Sequence, residues 1–138
     1  MSQNLGNVIK CRSLPPHLRY TLSRTLILPV DSNFTFKDTV RNPNNINSAI
    51  EYYIQIGDSI DLNLCAVSDL FSEMNSECCF DTLRTKEQLG YMVHSGIRKE
   101  KGVYGYRIIV QSERDPKYLE SRVESFLDRV KVYIINLD

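Results

Sequence analysis

From Asn47 onward the chain alternates between apolar and polar positions. Ile50, Tyr52, Ile54 and Ile56 are separated by Glu51, Tyr53 and Gln55, which is the two-residue period of a strand with one buried face. Gly57 and Asp58 end this run, and Asp58 or Ser59 is expected to cap the element that follows. Ile60, Leu64, Val67, Phe71 and Met74 then recur at steps of four, three, four and three. That spacing predicts an amphipathic helix of about four turns with this stripe as its buried face. A second short helix is predicted over 79–89, with Gly90 as its C-terminal cap.

Two strand-like runs come next, YMVHSGI at 91–97 and VYGYRIIVQS at 103–112. The charged stretch RKEKG between them predicts a β-hairpin with a loop of about five residues. Asp115-Pro116 opens the last helix, with proline at the favoured first-turn position. Leu119, Val123, Phe126, Val130 and Ile134 form its stripe, and the helix is expected to end near Leu137. The order strand, helix, helix, hairpin, helix predicts an α+β fold, an antiparallel sheet with helices packed on one face. Residues 1–46 read instead as an irregular lead-in, punctuated by Pro15-Pro16, Pro29, Pro43 and the run RNPNNIN. Within it, 25–30 has the character of an edge strand. The working domain is therefore expected over 47–138.

Charge removes several classes of function. The 17 basic residues balance the 17 acidic ones, so no global field favours nucleic acid or an anionic membrane as a partner. No run approaches the roughly 18 apolar residues of a membrane span. The start, MSQNLGNVIKCRS, has no apolar signal-peptide core, so a cytoplasmic location is expected. Cysteines stand at 11, 65, 78 and 79 without a C-x-x-C pair, which argues for reduced thiols. His17 and His94 belong to no metal-spaced cluster, so no metal ligand is expected in this chain.

The densest chemistry lies in CCFDTLRTKEQLGYMVHS at 78–95. In a helix over 79–89, Phe80, Arg84 and Gln88 share one side, and Tyr91 begins a strand just beyond the helix end. An aromatic ring, a guanidinium fork and a phenol would converge at one corner, suited to peptide carbonyls but unable to activate water. The same pattern fits a solvated helix face, with Arg84 paired to Glu87 or Asp81 and with Phe80 and Leu83 as ordinary core. His94 fits a plain strand position.

The run FDTLRTKEQLGY at 80–91 and VQSERDPKYLESRVESFL at 110–127 closely resemble the C-terminal half of the insulinase (pitrilysin-type) family of zinc metallopeptidases. The upstream NPNNINSAIEYYIQIGD at 42–58 is similar to the strand that opens the last domain of these enzymes, and the resemblance covers about residues 24–138. It implies one of two related halves that enclose a chamber. The other half carries the zinc motif H-x-x-E-H and a further Glu. It also implies that Arg84 holds the substrate backbone, that Tyr91 helps stabilise the tetrahedral intermediate, and that Phe80 lines the pocket beside the cleavage point. Peptide substrates, and the zinc-bearing half or a full-length family member, are the expected partners.

The sequence departs from the family in holding no H-x-x-E-H. Zinc is thus expected on a half outside this chain, the chain alone is expected to be inactive, and its domain is expected to be incomplete. A non-catalytic insulinase-like fragment that binds peptides or regulates a protease is the competing reading. A generic α+β interaction domain is the third.

Overall fold

The computed structural model describes Pro15 and residues 25–136. The expectations for the rest of the lead-in, with Cys11 and His17, and for Leu137 lie outside the described residues. The elements are β1 (Ser48–Asp58), α1 (Leu62–Cys79), a π-helix (Phe80–Lys86) continuous with α1, β2 (Met92–Glu100), β3 (Val103–Ser112) and α2 (Pro116–Ile135). β3 lies at the centre of an antiparallel sheet of order β1-β3-β2. Its residues Tyr106, Ile108 and Val110 face Ile54, Tyr52 and Ile50 on one side and Ile97, Ser95 and Val93 on the other. Leu83 and Leu89 from the helical arm, and Leu119, Val123, Phe126 and Val130 from α2, close over that face in a single core. This is the α+β arrangement expected from the pattern.

The hairpin is tighter than its sequence suggests. Arg98, Lys99 and Glu100 continue β2, and Glu100 pairs directly with Val103. Lys101 and Gly102 alone form the turn, both at positive φ (39° and 96°). That is the geometry of a two-residue turn whose twist matches that of the strands it joins. The loop of about five residues is therefore corrected to two.

The segment 25–30 is not a strand. Pro29 lacks the N–H a ladder needs, and a side chain stands in for the partner strand. The Gln55 carboxamide accepts from the Leu28 N–H at 2.6 Å and donates to the Leu26 carbonyl at 3.0 Å.

Two features of α1 also differ from expectation. Its N-cap is Asp61, whose carboxylate accepts from the Asn63 and Leu64 N–H groups at 3.0 and 3.1 Å; Asp58 instead caps the preceding turn through the Ile60 N–H. The buried face is rotated off the apolar stripe. Ser68, Asn75 and Cys79 are buried and Leu64 and Phe71 half-buried, whereas Ile60, Val67 (67 % exposed) and Met74 face outward. Burial of Ser68 and Asn75 is tolerable because each bonds back into its own helix, to the carbonyls of Leu64 (2.7 Å) and Phe71 (2.8 Å). α2 follows its pattern through Val130, capped by Asp115 on the Lys117 N–H at 2.9 Å, but Ile134 is exposed.

Candidate functional site

The α1 arm changes pitch at Phe80, where the bonding pattern widens to that of a π-helix through Lys86. Such segments are short and costly, and often lie at functional positions. The wider turn makes residues five apart neighbours, and Asp81 pairs with Lys86 at 2.7 Å. Glu87, the first residue after the π-helix, turns to α2. Its carboxylate accepts from Arg122 Nε and Nη2 and from Arg129 Nη2, each at 2.8 Å. Both acids that a solvated helix face would offer Arg84 are thus taken by other bases. Among the described residues Arg84 forms no hydrogen bond or ion pair.

Arg84 is held by aromatic rings instead. Its guanidinium carbon lies 4.8 Å from the Phe80 ring centroid and 5.2 Å from that of Tyr91, within the range of cation–π attraction. The structure therefore brings together the three residues singled out from the sequence. Phe80 is 42 % exposed and Tyr91 86 % exposed, so the corner opens to solvent.

The chain reaches Tyr91 through a reversal that sequence reasoning read differently. The Glu87 N–H bonds the Thr82 carbonyl at 2.9 Å and the Leu89 N–H bonds the Leu83 carbonyl at 3.0 Å. Between them Gln88 takes the left-handed conformation, φ 50°, so Gln88 and not Gly90 terminates the helix. Gln88 therefore lies outside the helix and does not extend the helical row of Phe80 and Arg84. Gly90 serves another purpose: a Cβ there would stand 1.9 Å from the Gln111 carbonyl oxygen, so only glycine lets the chain pass this close to β3. The buried Ser112 hydroxyl donates to the Leu89 carbonyl and accepts from the Arg114 N–H at 3.0 Å, pinning the reversal to the end of β3. Beside it opens a pocket of about 480 Å³ lined by Gln88, Tyr91, Gln111, Glu113 and Arg114 among others.

The Glu87 clamp, the left-handed Gln88 and the Ser112 tether were not anticipated. Glu87 and its arginines lie on different elements, and nothing in the residue type of Gln88 marks a positive φ. The remaining candidates play no part in the corner. Burial pushes the Cys79 thiol up, which keeps it protonated, and His94 is an exposed strand residue opposite Ile109. Among the described residues no three His, Cys, Asp or Glu side chains converge to hold a metal ion, so these residues do not fit a zinc centre. No helix among them is long and apolar enough to cross a membrane.

Comparison with known proteins places this architecture. Residues 70–138 match the family model for the PQQ synthase PqqF-like C-terminal lobe, domain 4. The chain is 47 % identical over 104 residues, 75 % of its length, to the insulin-degrading enzyme of Homo sapiens. It is 40 % identical over 105 residues, 76 % of its length, to the A-factor-processing enzyme of Saccharomyces cerevisiae. It spans 10 % of the length of each of these relatives. The crystal structure of pitrilysin superposes on 64 % of the chain with a TM-score of 0.54 and 25 % identity, using 10 % of that protein. On the strand order, the helix-to-strand corner and these matches together, the chain belongs to the insulinase family of zinc metallopeptidases, within its C-terminal lobe.

Proposed function

We propose that this chain is a segment of the C-terminal half of an insulinase-like zinc metalloendopeptidase, with residues 47–138 as its working unit. In this reading it handles the peptide while a zinc-bearing half outside the chain performs the metal chemistry. The single observation that carries the reading is the Arg84 guanidinium, within cation–π distance of Phe80 and Tyr91 and without a polar partner among the described residues. The rings offer the guanidinium no oxygen acceptor, so its N–H donors remain for peptide carbonyl oxygens, which a planar fork binds two at a time.

Tyr91 has a different task. Its exposed hydroxyl is a donor held at the edge of the same corner, suited to an oxygen that becomes negative as a peptide bond is attacked. Phe80 offers an apolar wall next to the fork. None of these groups can generate a nucleophile, which is why the reading requires the second half. The names of two relatives, an insulin-degrading and an A-factor-processing enzyme, support peptides as the substrate class.

The test is to mix the chain with the zinc-bearing N-terminal half of a family member and follow cleavage of a fluorogenic peptide. Arg84→Ala and Tyr91→Phe are each expected to lower the restored rate about a hundredfold to a thousandfold, the range for loss of one oxyanion donor. Restored cleavage that neither substitution alters would refute the assigned roles.

A further inference from the structure

Two residues of the corner, half-buried Arg84 and exposed Tyr91, lie on opposite sides of a chain reversal. Tyr91 is 86 % exposed, and Arg84 has no polar anchor among the described residues. An exposed ring changes rotamer quickly whatever its backbone does, but the spacing of the two backbones decides whether ring and guanidinium can meet. Their mutual geometry must therefore be set by whatever holds the reversal between them.

Glu87 sits at that point, three residues after Arg84 and four before Tyr91. It is 16 % exposed and takes three charge-assisted bonds at 2.8 Å from Arg122 and Arg129, which lie about two turns apart on one face of α2. Two of the three form the bidentate fork of Arg122, which fixes orientation as well as distance. α2 is in turn anchored in the core by Leu119, Val123, Phe126 and Val130. The last turn of the π-helix is thus cross-linked to the most deeply packed helix, where an unsupported π-turn would fray or slip to ordinary α-helical pitch. A slip of that kind would leave Arg84 one turn from Phe80 but shift the reversal, and with it Tyr91, relative to Arg84.

We infer that Glu87 is a positioning residue for the peptide-handling corner, holding Arg84 and Tyr91 in register through its clamp to Arg122 and Arg129. The inference rests on the role proposed above for Arg84 and Tyr91, but its central test does not depend on that role. The three guanidinium bonds also hold the Glu87 carboxyl below the usual carboxylate range, Arg122 contributing most, so the clamp is charged throughout the neutral pH range.

The test uses the 138-residue chain with Glu87→Gln, which keeps the shape and removes the charge. NMR of the wild type is expected to show Arg84 δ-protons shifted upfield by the Phe80 and Tyr91 rings. Glu87→Gln is expected to lose the Tyr91 contribution to that shift and keep the Phe80 one, while the Ile108 and Val110 methyl signals stay in place. Arg129→Lys, at a residue 56 % exposed and so tolerable to the fold, is expected to lose a smaller part; it decides the matter if Glu87→Gln does not fold. With the zinc-bearing half added, Glu87→Gln is expected to lower kcat about a hundredfold, the effect of a misplacement near 1 Å, with KM changing less. An unchanged Arg84 shift in the variants, or none in the wild type, overturns the inference. So does full kcat in Glu87→Gln when Arg84→Ala abolishes cleavage. If Arg84→Ala and Tyr91→Phe have no effect on cleavage but the shift is lost in Glu87→Gln, the functional role fails and the positioning role stands.

Discussion

Arg84, in the last turn of a π-helix, and Tyr91, just before β2, meet with the guanidinium carbon 5.2 Å from the ring centroid. The contact spans a helix end, a left-handed residue and a glycine. It places the fixed donor fork and the hydroxyl of the proposed peptide site side by side, with Phe80 on the other flank at 4.8 Å.

Arg84→Lys separates packing from recognition. An ammonium keeps the charge but loses the plane that stacks and the fork that binds two carbonyls. A solvent-facing cation–π contact is worth about 0.5–1 kcal/mol, so the fold should lose no more than that in urea denaturation. Cleavage restored by the zinc-bearing half should nevertheless fall about tenfold or more. A stability loss above about 2 kcal/mol would make Arg84 a structural residue instead.

Gly90→Ala tests the close approach of the reversal to β3. The added methyl would stand 1.9 Å from the Gln111 carbonyl oxygen, and the atoms it meets are backbone. They cannot step aside as a flexible side chain would. Destabilisation of about 2 kcal/mol or more is expected, in the upper part of the range for overpacked sites. Denaturation curves that superpose on the wild type would show that the approach is looser.

How far these features could be read in advance depended on whether their causes were local. The α+β order, the alternation of β1 through Tyr52 and the stripe of α2 through Val130 were legible because each rests on a single element's period. Past Tyr52 the alternation fails, with Ile54 39 % exposed and an irregular register between Gln55 and Gly57. The convergence of Phe80, Arg84 and Tyr91 was legible for the same reason, since all three lie within one helix-to-strand transition. The buried face of α1 was not. Its sequence puts apolar side chains at Val67 and Met74, and the sheet instead receives Ser68 and Asn75, whose polar groups are satisfied within the helix. The hairpin was misread because its charged residues, normally a loop signal, line a strand where Arg98 bonds Glu51 at 2.8 Å and Glu100 at 2.9 Å. The Glu87 clamp joins residues 35 and 42 positions apart, and no local pattern records such a contact.

Ser112→Ala probes the tether on the β3 side. Ser112 is buried, and its hydroxyl donates to the Leu89 carbonyl. Alanine would leave that carbonyl without its donor, at a cost of about 1–3 kcal/mol for a desolvated group. The loss should appear as a lower urea midpoint with an unchanged m-value. Faster exchange of the Leu89 amide is also expected, because its bond to Leu83 belongs to the same reversal. A variant as stable as the wild type would mean that the Leu89 carbonyl is solvated.

The clamp also has a pH signature, and its sign follows from the direction of the shift. Hydrogen bonds from Arg122, and then from Arg129, hold the Glu87 carboxyl below its ordinary range in the folded chain. The folded state therefore prefers the ionised form, and unfolding near neutral pH forfeits that preference without any uptake of protons. As pH falls through the ordinary glutamate range, about 4.3, the unfolded chain gains the proton first and the advantage shrinks. It vanishes below the folded value, where both states are protonated. Comparison of wild type with Glu87→Gln removes the other carboxylates from the difference. At pH 7 the wild type should be more stable by about 1–2 kcal/mol, in keeping with charged hydrogen bonds to partly exposed arginines. The gap should hold down to about pH 5 and close in more acid solution. A gap that is constant across the acid range would show that the clamp works through shape and not through charge.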